Sequence, residues 1–210
     1  MNKGLHVTDG DRPALYTVGH STHSLDDLLM LLKQHGVTAV ADVRSHPYSA
    51  RLGHFNREEF SAALEAAGIK YVFLGKELGA RRDERESYAG DRAAYERIAM
   101  LPGFREGLER LRRGARDYHV ALLCAEKEPL DCHRTVLVCR ELRREFDIRH
   151  ILADGSLENH ADTERRLVQE TGVTRTLFEP DLTEEDLVQQ AYDERARKIA
   201  YRSDQEEATP

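Results

Sequence analysis

The chain has 210 residues, and its 31 Lys and Arg against 38 Asp and Glu give a formal net charge of −7 at pH 7. This length fits one domain with an appendage, and a hydrophobic share of 40% excludes global disorder. Charges interrupt every apolar run before the roughly 18–20 residues that a membrane span needs. The first residues also lack the apolar core of a signal peptide. We therefore expect a cytoplasmic protein without a membrane partner.

The counts of cysteine and arginine narrow the class further. Three cysteines, an odd number confined to residues 124–139, do not make a secreted disulfide framework. The cationic residues are 25 Arg and only 6 Lys. Because Arg binds phosphate and carboxylate well, a small anionic molecule or a nucleic acid is a candidate partner. The net charge of −7 argues against broad, non-specific binding of nucleic acid.

The predicted elements alternate between strands and helices along the chain. Residues 1–13 are polar and predict a flexible lead-in. Ser24 and Asp27 form a capping-box pattern at the start of the first helix, and Thr183 and Asp186 repeat it at the last. In chain order we expect a strand at 15–18, a helix at 24–36, a strand at 37–43, a helix at 56–67 capped by Asn56, a strand at 69–73, helices at 91–100 and 102–113, a strand at 119–123, a helix from 131 or 132, a strand at 149–152, and helices at 161–171 and 183–200.

This alternation predicts the fold class. Strands that alternate with helices need crossover connections, which favour a parallel sheet. We predict an α/β fold with a mostly parallel sheet of about five strands, helices on both faces and C-terminal helices. Residues 14–175 would form a single domain, and residues 176–210 a C-terminal helix with an acidic tail. Residues 74–90 are charged and poorly periodic, which predicts either a solvated loop or a lid.

Reactive or polar groups follow each of the five predicted strands. In an α/β sheet the carboxyl ends of parallel strands meet at one edge, and ligands bind there. We therefore expect these groups to converge on one site. They are residues 19–21 (Gly-His-Ser), 42–44 (Asp-Val-Arg), 74–77 (Leu-Gly-Lys-Glu), 124–126 (Cys-Ala-Glu) and 154–155 (Asp-Gly).

The densest segment runs from residue 124 to residue 134. With Asp131 as N-cap, the next three residues would lie in the first helical turn, where free amides lower the pKa of a thiol and attract anions. Cys132 is therefore a candidate nucleophile or part of an anion site, with His133 as acid or base. Cys124 is either a second reactive thiol or a small apolar residue at a strand end. Cys139, in mid-helix, is expected in the core.

The other candidates come from the first, second and fourth strand ends. His20 is a candidate general base, metal ligand or simple turn residue. Asp42 and Arg44 lie on the same side of their strand. They form either a structural ion pair or part of a functional site, in which the carboxylate orients a histidine and the guanidinium binds an anion. The predicted substrate-binding residues are Arg44, Arg134, Ser21, Asp42 and Glu126.

The same residues suggest a metal site as an alternative. Cys124, Cys132, His133 and His20 offer ligands that suit zinc or iron. Against this, the spacing of the cysteines is not a recognised structural zinc pattern. Adjacent side chains on a helix also point about 100° apart, so Cys132 and His133 would not both face one ion. The sequence leaves the cofactor open, with zinc or iron as the candidates.

Several ordered motifs resemble the family known as domain of unknown function 488. They are residues 17–21 (Thr-Val-Gly-His-Ser), 42–44 with Pro47, and 124–126 followed by 132–134 (Cys-His-Arg). The resemblance covers about residues 15–152 and implies an α/β domain with these positions as its signature. It implies no activity, because that family is uncharacterised.

A more distant likeness is to rhodaneses and cysteine phosphatases, in which an acidic-Val-Arg strand precedes a Cys-containing loop that cradles an anion. Those loops place Cys and Arg six positions apart, whereas Cys124 and Arg134 are ten apart. Glu126 and Glu128 would also put negative charge where the anion should bind. The sequence thus departs from a tight anion-binding loop.

Two classes of function follow. The preferred one is an enzyme with a Cys/His/Arg site at the carboxyl ends of the strands, acting on a small anionic substrate, with nucleotides and phosphate-bearing molecules among the candidates. The other is a module that binds a metal or a nucleic acid without turnover.

Overall fold

The structure is a computed structural model that describes residues 12–175 and 181–203. Its central feature is a six-stranded sheet. A separate two-stranded hairpin consists of the fourth and fifth strands. The strands are β1 Ala14–Gly19, β2 Ala39–Asp42, β3 Lys70–Phe73, β4 Tyr88–Ala89, β5 Arg92–Ala93, β6 Val120–Cys124, β7 Asp147–Ile151 and β8 Leu157–Asn159.

The sheet confirms the predicted α/β class. Its strand order is β3-β2-β6-β1-β7-β8, and the first five of these strands are parallel. The sheet exceeds the predicted five strands because β8 pairs antiparallel with β7. The connection between them is a tight turn, in which Asp154 accepts hydrogen bonds from the backbone N–H and the hydroxyl of Ser156. Such a short connection can join only antiparallel strands.

Helices surround this sheet. They are α1 Leu25–Gln34, α2 Arg57–Ala66, α3 Gly75–Leu78, α4 Tyr95–Ile98, α5 Pro102–Asp117, α6 Arg140–Leu142, which continues a π-helix at Arg134–Cys139, α7 His160–Thr171 and α8 Glu184–Ile199.

Side chains from the two faces of the sheet form two hydrophobic clusters. Alternation along β6 sends Leu122 into one cluster, with residues of α5, the π-helix and α8. Leu123 belongs to the other, with residues of α1 and α2. Burial on both faces explains why the parallel strands read as continuous apolar runs. Tyr192 of α8 is fully buried, so the C-terminal helix packs on this core.

Two of the three predicted helix caps form the expected hydrogen bonds, and one does not. The Ser24 side chain accepts a hydrogen bond from the backbone N–H of Asp27, and Thr183 forms the complete capping box. Asn56 occupies the N-cap position of α2, but its side chain makes no cap bond and instead accepts one from Ser49 N–H. Local spacing predicts a cap only where no more distant group competes for it.

Three predicted segments differ from the structure. Residues 74–90, expected to be a loop, contain α3, a 3-10 turn at Arg85–Ser87 and β4. The predicted helix at 91–100 begins with β5 and becomes helical only at α4. The helix expected from residue 131 or 132 begins after Cys132, because residues Pro129–Asp131 form a 3-10 turn and Cys132 has extended backbone angles.

Some expectations lie outside the described residues. The lead-in at 1–13 is described only for residues 12 and 13, and the acidic end at 204–210 falls outside the description. Among the described helices, none combines the length and the apolar character that crossing a membrane requires.

Candidate functional site

The site forms where β6 and β2 end side by side. Cys124 is the last residue of β6, and Val43 directly follows β2. The Nε2–H of His133 donates to the Val43 carbonyl at 3.0 Å. A carbonyl can only accept, so Nε2 carries a proton and Nδ1 faces the cluster. That Nδ1 is 3.6 Å from Cys124 Sγ.

Cys132 joins this cluster because it lies outside the helix. Its backbone is extended, and its Sγ is 3.0 Å from Glu126 Oε2. The same sulfur accepts from the backbone N–H of Arg134 at 3.4 Å. The expectation that Cys132 and His133 point about 100° apart was therefore wrong, since it assumed that both were helical.

The four side chains lie close enough together to hold a metal ion. One ligand atom from each of Cys124, Glu126, Cys132 and His133 lies within 4.8 Å of the others. The two thiols are buried, His133 is partly exposed and Glu126 reaches solvent. A soft and borderline donor set of this kind suits zinc or iron.

The pKa values of the two thiols are shifted in opposite directions. Burial, the hydrogen bond to Cys132 and the charge nearby raise the pKa of Cys124 well above that of a free thiol. For Cys132, burial opposes ionisation, but the Cys124 hydrogen bond and the Arg134 and His133 charges lower its pKa well below the usual value. Desolvation and the neighbouring Cys132 also raise the pKa of Glu126. The cluster thus favours one thiolate, on Cys132.

Arg134 fixes the loop that carries Glu126. Its fully buried guanidinium donates from Nη1 to the Glu126 carbonyl at 2.6 Å and from Nη2 to the Lys127 carbonyl at 3.2 Å. The loop also presses against Gly19, where an added Cβ would lie 1.8 Å from the Glu126 carbonyl oxygen. A glycine is required at this position for close approach of two backbones. Arg134 is therefore directed at the loop and away from the pocket described below.

Asp42 and Arg44 form a buried ion pair beside the cluster. Asp42 accepts from Arg44 Nε at 2.9 Å and from Nη2 at 2.6 Å, and also from the hydroxyl of Tyr71 at 2.8 Å. Arg44 Nη1 donates to the Phe55 carbonyl at 2.9 Å and to His20 at 3.2 Å. Of the two alternatives, the structural ion pair is present. These contacts use four of the five N–H groups of Arg44 among the described residues.

His20 supports this pair as a neutral acceptor. Its Nδ1–H donates to the Ser21 carbonyl at 3.1 Å, which leaves Nε2 to accept from Arg44. Its ring stacks on Phe55 with centroids 4.3 Å apart. Burial and the Arg44 charge lower the pKa of His20 to about 4. Ser21 itself has a positive φ of 44° and donates its N–H to the Ala125 carbonyl, so it contributes a turn.

A pocket of about 410 Å³ opens onto the cluster. Cys124, Glu126, His133 and Arg44 line it, whereas the other predicted site residues do not: Cys132, Arg134, His20, Ser21 and Asp42. Six further residues that line the pocket were not predicted as site residues: Ser45, His46, Tyr48, Arg81, Tyr95 and Tyr201. Residues 45–48 directly follow a strand end, which is a signal that could have identified them. Arg81 belongs to the 74–90 segment, for which a lid was one of the two predictions. Nothing in the local sequence marks Tyr95 or Tyr201.

Two of the five strand ends do not join this site. Glu77, after β3, pairs with Arg110 of α5. Asp154, after β7, shapes the turn to β8. Convergence on one edge holds for the three strands β1, β2 and β6, which are neighbours in the sheet.

A buried chain of hydrogen bonds joins β1 and β7 of the sheet to α7 and α8. Thr17 Oγ1 lies 2.8 Å from His150 Nδ1, and His150 Nε2 lies 2.9 Å from His160 Nδ1. His160 Nε2 is 2.9 Å from the hydroxyl of Tyr192, which donates to Glu164. Because the Tyr192 hydroxyl donates its proton to Glu164, each histidine donates from Nε2, accepts at Nδ1 and stays neutral. Sequence patterns gave no sign of this chain, since its members come from four separate elements.

Fold and site together define an α/β protein with a parallel sheet whose carboxyl edge carries a Cys/Glu/Cys/His cluster able to hold a metal ion. The family model "Domain of unknown function DUF488" matches residues 24–140. The chain belongs to this family, as its motifs predict. No curated protein and no solved structure matches the chain. The motif at residues 17–21 and all of α7 and α8 lie outside the matched segment.

Proposed function

We propose that this protein is a metal-dependent enzyme that acts on a small anionic molecule. Cys124, Cys132 and His133 would hold a divalent ion, zinc by their donor chemistry, at the wall of the pocket. The observation that carries the proposal is the bond from His133 Nε2–H to the Val43 carbonyl, which leaves Nδ1 facing Cys124. Metal-binding histidines are oriented by this kind of second bond.

The distances fit such an ion. In tetrahedral coordination a sulfur about 2.3 Å and a nitrogen about 2.0 Å from zinc lie roughly 3.5 Å apart. Cys124 Sγ and His133 Nδ1 are separated by 3.6 Å. Metal binding would displace the thiol protons of Cys124 and Cys132, and the lowered pKa of Cys132 favours loss of its proton.

Glu126 and Arg44 give the site its working groups. Glu126 faces the pocket beside Cys132, where its carboxylate can accept a proton from a water molecule or a substrate. A bound ion would polarise an oxygen of the substrate or of a water molecule. Arg44 lines the pocket, and its remaining N–H, on Nη2, would donate to an anionic group bound there.

Metal analysis of protein purified without an affinity tag tests the proposal. We expect about one zinc per chain, and Cys132→Ser or His133→Gln should lose it. Cys139→Ala is the matched control, because Cys139 is a fully buried thiol outside the cluster. Glu126→Gln should keep the metal and lose turnover in a screen of hydrolytic reactions on small anionic substrates.

The proposal fails if the folded wild-type protein neither retains zinc nor takes up zinc, iron or cobalt after purification. It also fails if Cys139→Ala loses metal to the same extent as Cys132→Ser, since the effect would then not belong to the cluster. Folding is checked by circular dichroism in every variant.

A cysteine nucleophile is the second candidate, favoured by the lowered pKa of Cys132. Its difficulty is access, because Cys132 is 1% exposed and does not line the pocket, whereas Cys124 lines it but has a raised pKa. Alkylation rates measured against pH distinguish the two. A single thiol that reacts fast below pH 7 in metal-free protein favours the nucleophile, and loss of that reaction on adding zinc favours the metal site.

A further inference from the structure

Tyr95 is a pocket residue whose hydroxyl has no hydrogen-bond partner among the described residues. It starts α4 and is 3% exposed. Its hydroxyl makes no hydrogen bond with any residue that the structure describes, and its oxygen is not one of the enclosed unpaired atoms, so it faces open space. Tyr95 borders three cavities, one of which contains Cys124, Glu126 and His133. An unpaired hydroxyl held at the edge of a pocket is a group that a ligand can satisfy.

The hydroxyl lies within electrostatic reach of the cluster. Cys132, Cys124 and Glu126 all interact with it electrostatically. A tyrosine hydroxyl, with an ordinary pKa of about 10, keeps its proton at neutral pH and acts as a donor. Two other tyrosine hydroxyls do have hydrogen-bond partners. Tyr71 donates to Asp42, and Tyr88 donates to the Arg82 carbonyl.

We infer that Tyr95 is a substrate-binding residue, whose hydroxyl donates a hydrogen bond to an acceptor oxygen of a carboxylate or carbonyl compound bound at the metal cluster. The inference rests on the proposed function and names the class of substrate. The substrate would present one oxygen to the ion and a second acceptor to Tyr95. Apolar and aromatic walls from Tyr48, Ala80 and Ile199 would enclose the rest of a small molecule.

The test uses the full chain loaded with Co²⁺, whose visible absorption reports ligands that enter the metal site. Acetate is the probe, because its two oxygens can meet the ion and the hydroxyl together. We expect Tyr95→Phe to raise the acetate dissociation constant by about 10- to 100-fold, as loss of a hydrogen bond to a charged acceptor does. The affinity for Co²⁺ should stay unchanged.

Imidazole is the second probe, since it binds the ion through nitrogen and offers no oxygen to Tyr95. Its affinity should be the same in wild type and Tyr95→Phe, whereas a distorted pocket would weaken both probes. Tyr118→Phe is the matched control variant. Tyr118 lies at the other end of β6, where its hydroxyl contacts Lys70. The melting temperature of Tyr95→Phe should not fall, because the lost hydroxyl has no partner.

The outcomes separate the two proposals. If Co²⁺ binds and Tyr95→Phe holds acetate as tightly as wild type, the role of Tyr95 is refuted and the metal site stands. If Tyr95→Phe weakens acetate and imidazole equally, the effect is structural and the inference is also refuted. If the wild-type protein binds no Co²⁺, the proposed function falls and the inference falls with it.

Discussion

The histidine chain behind the sheet makes a quantitative prediction about acid stability. His160 is 7% exposed and lies between His150 of β7 and Tyr192 of α8, with Glu164 and Arg143 beside it. Burial, and then the Arg143 charge, lower its pKa from 6.5 to about 3. In the unfolded chain the same imidazole takes up a proton near pH 6.5. Folding therefore excludes a proton that the unfolded state binds.

The sign and size follow from proton linkage. The contribution of His160 to stability is complete above pH 6.5 and is lost as the pH falls from there toward 3. Between pH 7.5 and pH 5.0 the loss is about 1.5 pKa units, or about 2 kcal/mol of unfolding free energy. His150, whose pKa burial and the His160 charge also lower, adds to the total in the same direction.

Urea unfolding followed by circular dichroism at pH 7.5 and pH 5.0 measures this term, with a chelator present so that metal binding adds no pH dependence. We expect His160→Gln to lose about 2 kcal/mol less than wild type over that interval. Glu164 and Tyr192 remain in both proteins, so the difference between them isolates His160. An equal pH dependence in wild type and His160→Gln would refute the reasoning.

Three further substitutions test the support of the cluster by urea unfolding and Co²⁺ titration. Gly19→Ala places a methyl group against the Glu126 carbonyl, and we expect a loss of about 3 kcal/mol and weaker Co²⁺ binding. Asp42→Asn leaves Arg44 as a buried charge without its partner, which should cost about 3–5 kcal/mol. Arg134→Met frees two loop carbonyls, with a loss of about 3 kcal/mol and at least tenfold weaker Co²⁺ binding. Wild-type stability and Co²⁺ affinity in any of them would contradict the assigned role.

The cluster shows which part of a site a sequence predicts. Cys124, Glu126 and His133 were singled out because they follow a strand whose carboxyl end had to meet others. That step needs only the order of elements. The conformation of Cys132 was predicted wrongly, because a 3-10 turn ahead of it delays the helix. Because the helix begins after Cys132, the side chains of Cys132 and His133 lie in the same cluster instead of pointing apart.

The roles of the charged residues depended on long-range contacts. Arg134 was expected to hold a substrate, yet its buried guanidinium is bonded to the loop at residues 126 and 127. His20 was a candidate base, yet its neighbours hold it neutral with a pKa of about 4. Residue type and spacing cannot distinguish such supporting roles from contact with a ligand, since both need the same donors.

The sequence by itself determined the features that depend on neighbours along the chain. Alternating strands and helices implied a mostly parallel sheet, and the caps at Ser24 and Thr183 join groups only three residues apart. Long-range packing set the others: the ion pair around Arg44, the histidine chain and the position of Tyr95 in the pocket wall. These arise where elements distant in sequence pack together, and the burial of polar groups there sets their partners and their charge.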